Sequence, residues 1–240
     1  MKFNPPLQRG VLLRRYKRFL TDIETADGER LTIHCPNTGS MRHCAEPGDI
    51  VWYSTSASKT RKYPNTWELN ESPRGWIGVN TGNANKLVRE AIEAGVIAEL
   101  AGYESVRAEV RYGSENSRID LLLTADNRPD CYVEVKSVTL LEPDKGAGAG
   151  YFPDAVSTRG TKHLRELAEV AQNGQRAILF FCVQHSGIDI VSPAAHIDPD
   201  YALTLAEALA AGVEVMAWGV SCSPSRVQLD RPVKFRPALP

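Results

Sequence analysis

The sequence predicts a mixed α+β protein in two parts, a small five-stranded β-barrel followed by an α/β domain built on a mixed central sheet. Three observations predict it. Residues 9–80 read as short strands punctuated by turn chemistry, with no long helical pattern. Near Asn80 the hydrophobic period changes from that of a strand to that of a helix. Beyond that point the patterns interleave as α-β-β-β-α-β-α-β, an order whose natural packing is a sheet flanked by helices.

Val11 to Glu24 reads as one long strand, Asp27-Gly28 as a hairpin turn, and Arg30 to His34 alternates in period two. Pro47-Gly48 introduces the run Ile50 to Tyr53, and Asn65 to Leu69 and Trp76 to Val79 supply the last two strands of the barrel. Asn85 is placed to cap a helix carrying Leu87, Val88, Ile92, Val96 and Ile97, weakened in its second half by Gly95. Three strands follow, Val106 to Tyr112, Arg118 to Thr124 and Cys131 to Leu140. A helix over Thr161 to Gln172, stopped by Gly174, leads into the apolar strand Arg176 to Val183. Ala202 to Ala211 gives a third helix, ended by Gly212, and Val213 to Trp218 a further strand. The boundary falls between Asn80 and Lys86, which assigns residues 1–84 to the barrel and 85–240 to the α/β domain.

Composition agrees with a packed protein: 240 residues, 42% of them hydrophobic and 24% charged, exclude a disordered chain, a collagen-like repeat and a disulfide-stapled miniprotein. The net charge of −1 conceals an asymmetry. Residues 1–84 hold 12 basic and 8 acidic side chains, whereas residues 85–240 hold 16 and 21. No secretory-type apolar run follows Met1 to Pro6 and no stretch approaches the length of a bilayer span, which predicts a cytoplasmic protein. Cys35, Cys44, Cys131, Cys182 and Cys222 are odd in number and widely spaced, as reduced core thiols are.

The chemistry-bearing stretch runs from Asp120 to Lys136. Side chains two apart on a strand share a face, so Glu134 and Lys136 project together while Val135 faces the opposite layer. The short connection Ala125 to Asp130 lets the Asp120 strand pair antiparallel with the Glu134 strand and brings the two carboxylates close. Both sit among Ile119, Leu121 to Leu123, Tyr132, Val133 and Val135, where an uncompensated carboxylate costs several kcal/mol. A divalent cation compensates them, and an all-oxygen ligand set suits Mg²⁺ or Mn²⁺ and a phosphodiester substrate. Lys136 is then placed to orient an attacking water or stabilise the transition state. The alternative is a solvated Glu134–Lys136 ion pair worth about 0–1 kcal/mol.

The Asp…Glu-x-Lys pattern within this element order resembles the core of the PD-(D/E)XK, restriction-endonuclease-like nucleases. The chain as a whole is similar to the sugar fermentation stimulation protein A (SfsA) family. The matching segments are Arg15 to Leu20, His34 to Met41, Ser117 to Asp120, Val133 to Lys136, Phe152 to Val156 and Arg159 to Leu164. The resemblance implies an OB-like N-terminal domain, a nuclease-like C-terminal domain and binding of single- or double-stranded DNA without marked sequence preference. It also implies a regulatory link to sugar, notably maltose, metabolism. Asp120 and Glu134 match the superfamily's metal carboxylates and Lys136 its lysine, with Ile119 standing where a proline is usual. Where such folds take an extra acid from the first helix, Glu90 is the candidate, with a solvated helical charge as the alternative. Metal-dependent hydrolysis and DNA binding without cleavage both stay open.

Arg14, Arg15, Lys17 and Arg18 interleave with Tyr16 and Phe19, and Lys59, Arg61 and Lys62 lie near Tyr63 and Trp67. Cations that track phosphates beside aromatic faces on which bases stack are what an OB-type surface uses to hold a single strand. A solvated strand face over an aromatic core is the alternative. The repeated His34-Cys35 and His43-Cys44 match no common zinc spacing, because strand neighbours point to opposite faces. Gly146 to Gly150 lacks the dinucleotide-binding spacing and reads as a mobile flap. Lys162, His163 and Arg165 open a helix whose N-terminus and cations suit a phosphate, with a solvated helix face as the alternative.

Overall fold

The computed structural model describes residues 1–114 and 117–237. Alternating apolar residues build the first sheet from β1 (Gln8–Tyr16), β2 (Leu20–Thr25), β3 (Arg30–His34), β4 (Ile50–Thr55), β5 (Asn65–Ser72) and β6 (Gly75–Gly78). Leu12, Ile23, Ile33, Val51, Tyr53, Trp67 and Ile77 point inward and form its core. β1 pairs antiparallel with β2 and β4, β2 with β3, and β4 with β5; a parallel bridge between His34 and Thr66 closes the barrel. This is the predicted OB arrangement, with β6 added antiparallel to β5.

One expectation fails locally. The long strand from Val11 to Glu24 is two strands, because Lys17 (φ 49°) and Arg18 (φ 63°) turn the chain through the left-handed region without a glycine. The opening charges are thereby placed on a hairpin tip.

The chain continues through α1 (Asn83–Glu93), β7 (Ser105–Tyr112), β8 (Ser117–Thr124), β9 (Cys131–Val138), β10 (Leu140–Leu141) and β11 (Ala149–Phe152). It then runs α2 (Thr158–Gln172), β12 (Arg176–Val183), β13 (Ile190–Pro193), α3 (Pro199–Ala210), β14 (Glu214–Ser223), β15 (Arg226–Pro232) and β16 (Lys234–Phe235). The main sheet has the order β15-β14-β12-β9-β8-β7, parallel through β9, β12 and β14 and antiparallel at both edges. Leu87, Val88 and Ile92 of α1 pack on one face against Leu121, Val133 and Phe180. Leu164, Leu167 and Leu205 of α2 and α3 pack on the other against Ile119, Leu179 and Phe181. β12 is buried along nearly its whole length, as its unbroken apolar run requires.

Asn85 does not cap α1; Gly82 holds that position and Asn85 lies inside the helix. A second small sheet, β10-β11-β13-β16, takes up the glycine-rich stretch expected to be a flap. There Ala149 and Gly150 begin β11, and a side chain at Gly150 would meet Ile188 Cγ2 at 2.5 Å.

Two seams help to join the barrel to the main domain. β6 lies against the segment after β12, with Gly78 N donating to Gln184 O (2.7 Å), Ser186 N to Trp76 O (2.9 Å) and Trp76 N to Ser186 Oγ (2.9 Å). The loop after β3 forms the second seam: Ser40 N and Oγ both donate to Asp154 Oδ2, at 3.0 and 2.9 Å.

Candidate metal and nucleic-acid site

The β8–β9 ladder runs from Leu123↔Cys131 to Leu121↔Val133 and stops. The next pair in register would be Asp120 opposite Glu134. Instead the strands part, and the Asp120 carboxylate fills the fork by accepting the Val135 N–H at Oδ2 (2.8 Å). On its other side β7 is irregular too, with Glu109 at φ 56° and the pairing skipping from Ala108↔Leu121 to Val110↔Ile119. Asn85 Nδ2 of α1 donates to Oδ1 at 2.7 Å, so helix and strand together fix the group.

Glu134 and Lys136 share the face towards α2, and Lys136 Nζ donates to Glu134 Oε1 at 2.6 Å. The helix adds His163, whose Nδ1 also meets Glu134 Oε1. Arg159 Nε lies 3.4 Å from His163 Nε2, and an arginine can only donate. Lys136 Nζ lies 3.3 Å from the other ring nitrogen, Nδ1, so the imidazole sits between two cationic side chains and the Glu134 carboxylate. The side chains of Glu134, His163 and Lys136 are only 2%, 6% and 14% exposed. Among the described residues, Glu134 Oε2 is buried without a hydrogen-bond partner.

These environments push the two carboxyls apart. Burial, and then the Glu134 charge, raises Asp120 to about 6 against the restraint of its hydrogen bonds. Burial also pushes Glu134 up, but His163 and Lys136 together bring it below the usual carboxylate range. Among the described residues no three His, Cys, Asp or Glu side chains form a metal-holding group. Asp120 and Glu134 fit a hydrated divalent ion: two oxygen donors, one of them orphaned, with water and substrate completing the shell as Mg²⁺ usually requires.

Glu90 is not part of this arrangement. Its Oε2 pairs with the Met1 amino group at 2.5 Å and its side chain is 54% exposed. The expectation is corrected by helical geometry: residues 85 and 90 are five apart, which sets them on different faces, and Asn85 is the one turned to Asp120.

The basic residues meet on one rim of the barrel. Register runs Tyr16↔Leu20, Leu20↔His34 and His34↔Thr66, which places the Lys17–Arg18 hairpin tip and the β4–β5 loop bearing Lys59, Arg61 and Lys62 at the same end. Lys17, Arg18, Arg61 and Lys62 are exposed there, with Phe19 44% exposed beside them. Lys62 Nζ also lies 5.6 Å from the Tyr63 ring centroid. Arg14 is exposed but ion-paired with Asp22 at 2.8 Å. Two expectations change. Arg15 Nη2 donates to Arg18 O, Asn37 O and Gly39 O at 2.8–2.9 Å, so it clamps the loop after β3 and does not face outward. Trp67 is core and fully buried. Lys162 is half-buried on α2, and His163, expected to serve a phosphate at the helix start, is buried against Glu134.

Sequence reasoning missed Asn85 and Arg159 as site residues. A signal existed for α2: Arg159, His163 and Glu166 are spaced four and three apart, a polar stripe between Leu164 and Leu167 on the packed face.

Residues 82–226 match the model of the sugar fermentation stimulation protein RE domain, and residues 13–79 that of the SfsA N-terminal OB domain. The chain belongs to the SfsA family. A sugar fermentation stimulation protein homolog of Shewanella loihica (strain ATCC BAA-1088 / PV-4) is 59% identical over 238 residues, covering 98% of this chain and 100% of the relative. The homolog of Shewanella piezotolerans (strain WP3 / JCM 13877) is 60% identical over 238 residues with the same coverage. A solved structure of Pyrococcus furiosus SfsA in complex with Ca²⁺ shares the fold at TM-score 0.85 and 27% identity, covering 98% of both chains. Among the described residues no helix is long and apolar enough to cross a membrane.

Proposed function

We propose that this chain binds DNA across the basic rim of its OB barrel with little sequence preference and hydrolyses phosphodiester bonds at Asp120, Glu134 and Lys136 with Mg²⁺ or Mn²⁺. The fork between β8 and β9 is the observation that carries the reading. It gathers a buried and a half-buried carboxylate and a lysine where a structural role would need only a continued ladder. The Pyrococcus furiosus relative is known in complex with Ca²⁺, an ion that takes the same oxygen donors. A bound divalent cation would supply Lewis-acid polarisation of the phosphate and a more acidic water. Asp120 and Glu134 would hold it. Lys136, at the exposed end of its ion pair, would meet the charge that develops on the phosphate oxygens. His163 and Lys136 together favour the ionised form of Glu134 and hold it in place, and Arg159 lies against the far side of the His163 ring.

Incubation of the purified chain with single- and double-stranded DNA in Mg²⁺, Mn²⁺ or chelator tests this against Asp120→Ala and Lys136→Ala. Metal-dependent cleavage, reduced at least about 100-fold in both variants, supports hydrolysis. A second reading, a DNA-binding regulator of sugar-metabolism genes that does not cut, is favoured by the contacts Lys136 and His163 already make with Glu134 Oε1. Salt-sensitive retention of DNA with no cleavage under any metal would select it.

A further inference from the structure

Arg111 and Arg118 stand directly opposite each other across the β7–β8 ladder, and both are exposed. Like charges at one register position repel, and among the described residues neither guanidinium has an acidic partner. Their strand neighbours fix the direction in which they face. Val110, Tyr112 and Ile119 pack with α2, so Arg111 and Arg118 look the other way, towards the side of the sheet from which Asn85 reaches Asp120. Farther along, Val106 and Leu121 pack with α1, because the ribbon changes faces at Glu109 (φ 56°), level with Asp120. The pair also stands at the mouth of the fork. Carried three steps past its last rung, Leu121↔Val133, the β8–β9 register sets Arg118 level with Lys136. Lys136 is held by Glu134 at 2.6 Å, which leaves the other arm of the fork to present the open charge.

We propose that Arg111 and Arg118 together clamp a backbone phosphate of a DNA strand beside the Asp120–Glu134 fork, at a place separate from the basic rim of the barrel. Two residues along a strand span about 6.6 Å, so the clamped phosphate lies one to two nucleotides from Asp120 at about 3.4 Å of rise each. Guanidinium groups suit it because their planar donors grip phosphate oxygens two at a time. A phosphate seated between the two arginines also turns their repulsion into attraction to a shared anion. The clamp deepens the DNA-binding reading and rests on it, whereas hydrolysis is not needed for it. A strand that meets both the rim and the clamp touches both domains.

Binding of single- and double-stranded DNA by the full chain in chelator, measured over a range of salt, tests the clamp alongside melting temperature without DNA. Arg111→Gln combined with Arg118→Gln should weaken binding about tenfold and lower the slope of log affinity against log salt by about 1. Its melting temperature should equal or slightly exceed the wild type's, since a like-charge pair is gone. Arg111→Lys combined with Arg118→Lys should keep the slope, because each lysine still carries the charge. An unchanged slope in the glutamine variant, while salt still releases DNA from the wild type, overturns the clamp and leaves DNA binding at the barrel rim in place. A melting temperature several degrees lower in both variants, with the loss of slope shared by the lysine variant, marks the pair as structural and also overturns the clamp. No DNA retained by the wild type even at low salt overturns the DNA reading and the clamp with it.

Discussion

Asp120 is held in an environment that favours its neutral form, and the consequence is measurable. Its folded pKa of about 6 lies above the reference value of 3.8. Between those values the folded protein binds more proton than the unfolded chain, so Asp120 weakens stability as pH rises through that window. Asp120→Asn removes the charge and keeps the hydrogen bonds, because an amide oxygen still accepts from Val135 N and Asn85 can present its own oxygen to the new amide. In chelator the variant should be more stable than the wild type at pH 7 by about 1–3 kcal/mol, with the gap closing below about pH 4. Urea titrations at four or five pH values check this; a gap that does not change with pH rejects it. Glu134 and Lys136 were legible in the sequence because a strand's period alone puts them together. Asn85 was not, since its partner lies 35 residues away along the chain.

Two loops carry the exposed cations gathered at one rim of the barrel. The hairpin tip of Lys17 and Arg18 and the loop of Arg61 and Lys62 are brought to one rim by the closure of β3 on β5. Replacing all four by glutamine should leave the denaturation midpoint nearly unchanged, as exposed substitutions usually do within about 0.5 kcal/mol. The same change should lower the slope of log affinity for single-stranded DNA against log salt by roughly 3. Arg15→Ala should do the reverse. It strips three loop carbonyls of their donor and costs about 1–3 kcal/mol of stability, while the charge facing a ligand hardly changes. Equal losses of DNA affinity in both variants without any loss of stability would contradict this division. Most of the main elements were readable from hydrophobic period, β12 almost to the residue. The tip was hidden because no glycine, asparagine or proline marks the turn at Lys17 and Arg18. The second sheet was hidden because β10 and β16 have two residues each, too few to show a period.

Across the whole molecule, the seam between barrel and main domain contains a buried histidine that opposes Asp120. His185, 1% exposed, bridges to Ile77 of β6, and its Nδ1 accepts from Gly187 N at 3.0 Å. Burial, then the charge of Arg74, pushes it down to about 4 from 6.5. Protonation would place a hydrogen on the nitrogen that accepts from Gly187, so the contribution is complete above pH 6.5 and is lost as pH falls towards 4. Over the same range Asp120 adds stability on acidification. The two slopes oppose one another in the wild type, and single substitutions uncover them. Asp120→Asn should become steeply acid-labile relative to the wild type. His185→Asn, whose amide oxygen can replace Nδ1 as acceptor, should instead gain relative stability as pH falls. The two sites share no hydrogen-bond partner, so in the double variant the changes should add within about 0.5 kcal/mol. Its pH profile should then track the wild type's in slope from pH 6.5 to 4. Denaturant titration of the four proteins in chelator tests this, and a double variant as acid-labile as Asp120→Asn alone would show that His185 does not titrate with the seam.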